Sequence, residues 1–371
     1  MSVVFHPPPR RILVRGVNWL GDAVMTTPAL LRLREKFPEA RISLLTPDKL
    51  AELWTHHPAV DETISFAAGD GLLAIAKKLK TGKFDLALVF PNSPRSALEV
   101  FWAGIPQRIG MARPLRNFFL TRSVPPRPDI VTMRKRSEAE IKALISQPVA
   151  TTSPVPPSSH HIHDYLHLVA ALGASSDPLA PQLFVTPEET AAAAKKLELI
   201  PAASPVFGLN PGAEYGPAKR WPVDRFIAAA KEIHDHTQCT WLLFGGKNDS
   251  TLTAQIASAL HASRITHHDL AGKTTLRELM ALLKLCRVLL TNDTGPMHVA
   301  AALETPVVVP FGSTSPELTG PGLPGDARHH LLKSTAPCSP CFLRECPIDF
   351  RCMNGISIES VVQAVLAIPS K

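Results

Sequence analysis

The sequence predicts an α/β protein of two Rossmann-like domains, each a parallel sheet covered by helices. Two observations carry this expectation. Short β-branched runs alternate with amphipathic segments, and the alternation occurs in two similar halves of a 371-residue chain. Alternating strand and helix patterns build parallel sheets with helices on their faces. The length suits two domains better than one, and 45% hydrophobic against 19% charged residues supplies two sizeable cores.

In the first half the predicted strands are Ile12–Arg15, Ile42–Leu45 and Leu86–Phe90, with a helix carrying Leu30, Leu33 and Phe37 on one face. The stretch from Arg122 to Ser159 differs in character. Pro125, Pro126 and Pro128, the Arg134-Lys135-Arg136 run and three prolines in Thr151–Ser159 predict an exposed insertion, with a short helix near Glu138–Ile145. A helix over His163–Leu172 follows, and the domain boundary is expected within Pro178–Pro187. Domain one is read as residues 1–182, with the Pro-rich insertion at about 123–159; domain two is read as 183–371, ending in a Cys-rich tail. The second half predicts strands Val206–Leu209, Thr240–Phe244, Val288–Thr291 and Val307–Phe311, and a helix with Leu276, Leu279, Leu282 and Leu283 on one face. Sheets of this kind bind ligands beyond the carboxyl ends of their strands. The segments directly after the strands are therefore the expected functional loops.

Composition narrows the function classes. No run reaches the roughly 18–20 apolar residues of a membrane helix; Lys284 and Arg287 interrupt the apolar stretch Glu278–Leu290. Met1–Arg11 has three consecutive prolines and two arginines but no apolar signal-peptide core, so a cytoplasmic protein is expected. The net charge of +7, from 39 basic and 32 acidic residues, favours anionic partners such as phosphates, acidic sugars or a membrane surface. No Lys/Arg stripe with interleaved aromatics supports nucleic acid. Cys239 and Cys286 lie in apolar segments and read as core.

Three loops carry candidate chemistry. After the first strand comes Gly16-Val-Asn-Trp-Leu-Gly21-Asp22, whose two glycines are five apart. The dinucleotide pattern G-x-G-x-x-G is absent there, which removes the main support for an NAD-dependent oxidoreductase. Asp22 reads either as a helix N-cap or as a general base taking a proton from an attacking hydroxyl. The second loop, Asn210-Pro-Gly-Ala-Glu214-Tyr215-Gly216-Pro-Ala-Lys219-Arg220-Trp221-Pro222, joins small residues to two cations. It suits a diphosphate leaving group, on which negative charge grows as a bond breaks, or else is a solvated basic turn. The third, Thr291-Asn292-Asp293-Thr294-Gly295-Pro296-Met297-His298, opens a helix whose N-terminal amides and dipole favour a phosphate. Asp293 would repel one; it caps the helix, orients Lys219 or accepts from a sugar hydroxyl. His298 is a ligand contact or a structural histidine.

Three further signals invite metal or nucleotide readings. Cys338, Cys341, Cys346 and Cys352 fall within fifteen residues, so a structural zinc site competes with free thiols. The run His160-His161-Ile162-His163-Asp164-Tyr165-Leu166-His167 looks metal-like, with His163 and His167 one helical turn apart, but a helix flank with its histidines on the wet side, and Tyr165, Leu166 and Val169 inward, accounts for it. Gly320-Pro-Gly322-Leu-Pro-Gly325 matches G-x-G-x-x-G by letter only; two prolines and no following helix make it a loop.

The three loops, together with Thr27-Pro28-Ala29-Leu30, Pro91-Asn92-Ser93-Pro94-Arg95-Ser96-Ala97-Leu98, Ala103-Gly104-Ile105-Pro106 and His298-Val299-Ala300-Ala301-Ala302-Leu303, resemble the ADP-heptose:lipopolysaccharide heptosyltransferases of glycosyltransferase family 9. The heptosyltransferase II branch is the most similar, and the likeness spans about positions 11 to 320. The resemblance implies a GT-B fold, with acceptor on the first domain and ADP-sugar on the second. It implies inverting transfer of L-glycero-D-manno-heptose from ADP-heptose to a lipid A–Kdo–heptose type acceptor, without a catalytic metal; no D-x-D motif occurs in the sequence. Carried over by position, Asp22 is the base and Lys219 contacts the donor phosphates. Glu214, Tyr215, Asp293, Thr294, Gly295 and His298 line the donor site, while Asn92, Ser93, Arg95, Arg113 and Arg116 face the acceptor. A peripheral visit to the cytoplasmic face of the inner membrane is implied by the lipid acceptor. Two departures stand out. Where the family often places an acidic ribose partner the loop reads Gly245-Gly246-Lys247-Asn248-Asp249, which leaves the ribose contact open, and the Pro-rich insertion is longer. Within the enzymes the rival is a transferase using another nucleotide sugar or acceptor; outside them it is a non-catalytic sugar-nucleotide-binding paralogue.

Overall fold

A computed structural model of the chain describes residues 7–128, 130–146, 155–199 and 204–369. It divides into two compact units, one of residues 1–130 with 158–184 and one of residues 131–157 with 185–371. The Pro-rich insertion expected within the first domain thus contributes its described residues 131–146 and 155–157 to the second unit. Arg136 shows why: its amide donates to the Cys341 carbonyl at 3.0 Å. Residues 147–154 of that insertion and 1–6 of the N-terminal segment lie outside the described residues.

The first unit holds a six-stranded sheet of β1 (Arg11–Arg15), β2 (Arg41–Pro47), β3 (Glu62–Phe66), β4 (Leu86–Val89), β5 (Gln107–Met111) and β6 (Arg122–Val124). The second holds β7 (Val206–Asn210), β8 (Thr240–Leu243), β9 (His267–Asp269), β10 (Val288–Thr291), β11 (Val307–Phe311) and β12 (His330–Lys333). All neighbouring strands pair parallel. The orders are β3-β2-β1-β4-β5-β6 and β9-β8-β7-β10-β11-β12, so both units repeat one doubly wound topology. Each sheet reverses its winding between its first and fourth strands, and that switch point opens the crevice where such folds hold ligands.

The central strands were the legible ones. β4, β7, β10 and β11 are buried at every residue, so they read as continuous apolar runs. Five strands, β3, β5, β6, β9 and β12, carry no such run and were not expected. Four of them, β3, β6, β9 and β12, are sheet edges, short or polar because an edge strand is only half covered, as in His267-His268-Asp269; β5 lies inside β6 and opens on the polar pair Gln107 and Arg108. The helix Glu138–Ile145 forms where expected, started by a capping box between Ser137 and Glu140. The helix expected over His163–Leu172 runs Ile162–Ala170. One expectation about it fails: His160 is buried, not on the wet side. Cys239 and Cys286 are buried core residues, as expected. The Gly320–Gly325 stretch is a loop.

Beneath the first switch point lies a buried ion pair, Arg15 Nε to Glu99 at 2.7 Å. The same guanidinium donates to the Gly16 carbonyl and to Asn18 Oδ1 at 3.0 Å, and stacks over Phe66. The loop after β1 is thereby fixed from below.

Candidate active site

In the first unit the loops after β1, β4 and β5 and the helix Ile162–Ala170 enclose a cavity of about 210 Å³. Asp22, Asn92, Arg113, His161, Asp164 and Tyr165 line it. Asp22 occupies the first turn of the helix Leu20–Met25, whose N-cap is Trp19 with no side-chain cap bond. Its reading as an N-cap is therefore wrong, and its carboxylate belongs to the cavity. His161 Nδ1 lies 3.9 Å from Asp22 Oδ1, and its Nε2 lies 3.8 Å from Asp164 Oδ2. Asp164 is anchored by Arg127 Nε at 2.9 Å, and Arg127 also donates to the Ser158 carbonyl. The imidazole stacks on Tyr165 with ring centroids 5.1 Å apart. Burial, and then the charges of Asp22 and Asp164, push the Tyr165 phenol well above its usual range, so it stays protonated.

The expected acceptor residues separate. Asn92 and Arg113 line the cavity, whereas Ser93, Arg95 and Arg116 are not among its lining residues. Ser93 caps the helix Pro94–Trp102 by accepting from the Ser96 amide. Arg95 donates to the Asp70 carbonyl and pairs with Glu99 at 3.4 Å. Arg116 is fully buried and donates to Asn92 Oδ1 at 3.1 Å. Burial, reinforced by the nearby charge of Arg113, pulls its guanidinium down to about 10.

In the second unit the loops after β7 and β10 meet at the switch point. Lys219 Nζ bonds Asp293 Oδ2 at 2.6 Å, and Thr314 Oγ1 donates to the same oxygen at 2.6 Å. Of the three roles open to Asp293, orienting Lys219 is the one its contacts match; the N-cap of the helix Gly295–Ala302 is Thr294. Asn292 stitches the two loops together. Its Nδ2 donates to the Pro211 carbonyl at 2.7 Å, and its Oδ1 accepts from the Trp221 amide at 2.9 Å. Tyr215 lies between two cations, with Lys219 Nζ 5.0 Å and the Arg344 guanidinium 5.1 Å from its ring centroid. Glu214 is exposed on the loop, Gly295 is half-buried at the helix start and His298 is buried within it.

Several residues at these sites escaped sequence reasoning. His161 and Asp164 sat in a histidine run that looked like a helix flank. Asp249 supplies a carboxylate beside the β7 loop, 3.6 Å from Arg220 and so close to Gly212 that any Cβ there would collide with it. The Cys-rich tail proves to be a buttress. Tyr215 Oη donates to the Phe342 carbonyl at 2.9 Å, the Ala218 amide to the Arg344 carbonyl at 2.9 Å, and Gly216 has no room for a side chain against that carbonyl. The tail's cysteines are all free, and Cys338 and Cys341 pack in a small apolar core with Ile141. Burial raises both thiols and pushes Cys352 up to about 12. Among the described residues no group of three or more His, Cys, Asp or Glu is arranged to hold a metal ion, although Cys338, Cys341 and Cys346 lie near enough for their charges to act on Cys352. His167 instead reaches the Pro125 carbonyl at 2.9 Å.

Two units of one doubly wound topology, each with polar loops gathered at its switch point, define a glycosyltransferase of the GT-B class. The chain belongs to glycosyltransferase family 9, the heptosyltransferase family, whose model matches residues 126–350. It is 32% identical to lipopolysaccharide heptosyltransferase 2 of Escherichia coli K12 over 318 residues, 84% of this chain and 85% of that protein. It is 33% identical to lipooligosaccharide heptosyltransferase 2 of Haemophilus ducreyi over 321 residues, 84% and 86% of the two chains. The solved structure of E. coli ADP-heptose lps heptosyltransferase II superposes with a TM-score of 0.75 at 28% identity, covering 96% of this chain and 98% of that one.

Proposed function

We propose that this protein transfers L-glycero-D-manno-heptose from ADP-heptose to the inner core of lipopolysaccharide, with inversion at the anomeric carbon. The family membership and the names of its relatives support this donor and acceptor class. In this reading the first unit binds a lipid A–Kdo–heptose type acceptor and the second binds ADP-heptose. The lipid acceptor brings the enzyme to the cytoplasmic face of the inner membrane; no helix among the described residues is long and apolar enough to cross one.

The observation that carries the mechanism is Asp22 in the cavity at the first switch point, with His161 behind it. Asp22 takes the proton of an acceptor hydroxyl as that oxygen attacks the anomeric carbon from the face opposite ADP. Asp164 at Nε2 favours the tautomer that leaves the Nδ1 lone pair towards Asp22. The proton can then pass from the Asp22 carboxyl to His161, restoring the base. Catalytic hydrogen bonds are often long before substrate binds. Negative charge on the departing ADP is met by Lys219 and by the amides at the start of the helix Gly295–Ala302. Asp293 and Thr314 hold Lys219 in place. Tyr215, Glu214, Thr294 and His298 complete the donor side; Asn92 and Arg113 face the acceptor, with Ser93, Arg95 and Arg116 supporting that wall.

ADP release measured with and without a lipid A–Kdo–heptose acceptor tests the reading. Acceptor-dependent release is expected. Asp22→Asn should lower kcat by about 10²-fold or more while ADP-heptose binding persists. A near-normal kcat in that variant removes Asp22 from the role. Tight ADP-heptose binding without turnover in the unmodified protein would favour a binding paralogue.

A further inference from the structure

From Val100 to Pro128 the sequence has five arginines and neither Asp nor Glu. In the first unit this stretch also displays large apolar side chains to solvent. Leu115 is 74% and Phe118 84% exposed, and Phe101 and Trp102 stand out beside them at the end of the helix Pro94–Trp102. The platform is built, not loose. Phe101 packs edge-on against Phe119 at 5.5 Å, under Arg108. The Arg113 amide donates to Asn117 Oδ1 at 3.0 Å, and Arg108 Nε to the Phe119 carbonyl at 2.7 Å. Leu115 sits at φ 64°, a left-handed conformation that a leucine holds only where its surroundings enforce it.

The charges behind this tip are not neutralised locally. Among the described residues Arg108, Arg113 and Arg116 hydrogen-bond only neutral oxygens, those of Ile105, Pro106, Phe119, Ala112 and Asn92. Exposed apolar side chains in front of unneutralised cations match one kind of surface, a bilayer whose acyl boundary takes the former and whose anionic headgroups take the latter. A contiguous apolar patch on a monomer marks an interaction site.

We propose that the loop from Arg113 to Phe119, with Phe101 and Trp102, is the membrane-docking surface of this protein and selects anionic lipid. Leu115 and Phe118 enter the headgroup–acyl boundary, and the half-buried Arg108 and Arg113 supply the attraction to anionic headgroups, with the charge of the fully buried Arg116 behind them. Arg113 also lines the cavity that holds Asp22, so docking brings the cavity mouth to where a lipid-linked acceptor emerges. This deepens the proposed use of such an acceptor, but it stands on residues outside that chemistry.

The test is sedimentation of the full-length protein with phosphatidylcholine vesicles, with or without about a third phosphatidylglycerol. Binding to the anionic vesicles is expected, falling as salt rises. Leu115→Ser/Phe118→Ser should weaken it at least about tenfold, while kcat on a water-soluble acceptor fragment is unchanged. If the double variant melts early, Phe118→Ser alone serves, since that side chain is almost wholly in water already. Equal vesicle binding by variant and unmodified protein, or no binding by either, overturns the proposal. So does self-association that the substitutions abolish in the absence of lipid. Asp22→Asn should bind vesicles normally, so failure of the proposed chemistry and failure of docking give different results.

Discussion

Lys219 and Asp293 form the most consequential residue contact in the second unit. Both side chains are largely buried, 14% and 5% exposed, and Thr314 adds a third member. A buried pair stabilises little relative to an apolar replacement, but removing one partner strands the other charge, at a cost of about 3–5 kcal/mol. Lys219→Met should therefore destabilise the second unit by about that much in urea unfolding. Adding Asp293→Asn should recover a large part of it. Additive losses in the double variant would mean that the two groups are not coupled. The residues legible beforehand were those in contiguous loops, such as Asp22, Lys219 and Asp293. His161, Asp164 and Asp249 were not, because each meets its partners through contacts that no local spacing encodes.

Among the elements, the helices Pro187–Lys196 and Leu276–Leu285 show capping residues used twice. Each begins with a capping box, Thr186 with Glu189 and Thr275 with Glu278. Each boxed carboxylate also pairs with the other helix, Glu189 with Arg277 (Nε at 2.8 Å) and Glu278 with Lys196 at 2.6 Å. The Lys196 ammonium and the Thr275 amide hold the Glu278 carboxyl below its ordinary range. A lost N-cap costs about 1 kcal/mol, and the more exposed Glu278–Lys196 pair less. Thr275→Ala should therefore lower stability more than Glu278→Gln, which keeps a capping side chain and loses only its charge. Thermal unfolding that ranks them the other way would assign the helix start to the ion pair.

At the scale of the whole molecule, each unit contains a histidine kept neutral by burial. In the first, burial lowers His57 to about 4; it packs against Trp54 and Phe184 and accepts from the Ala59 amide. In the second, burial likewise lowers His329 to about 4, Asp326 opposing the shift. The folded values lie below the unfolded value of 6.5, so the unfolded chain takes up protons first as pH falls. Stability is therefore complete above about pH 6.5 and declines towards pH 4, by on the order of 3 kcal/mol per histidine. Melting temperatures should fall steadily across that window in both units. A flat profile between pH 6.5 and 4.5 would mean that neither imidazole stays buried and neutral.

The sequence alone determined the class of architecture, the central strands and the loops that carry the family's residues. A strand buried on both faces must be apolar throughout, and a loop that meets a nucleotide must offer small and charged residues in one short run. Only the tertiary structure decided the edge strands, the second-unit membership of residues 131–146 and 155–157, the placing of His161 beside Asp22 and the contacts of the Cys-rich tail. Half-covered strands carry no continuous apolar signature. His161 comes to Asp22, and Phe342 to Tyr215, through packing of segments more than a hundred residues apart, and periodicity within a window cannot register a contact of that separation.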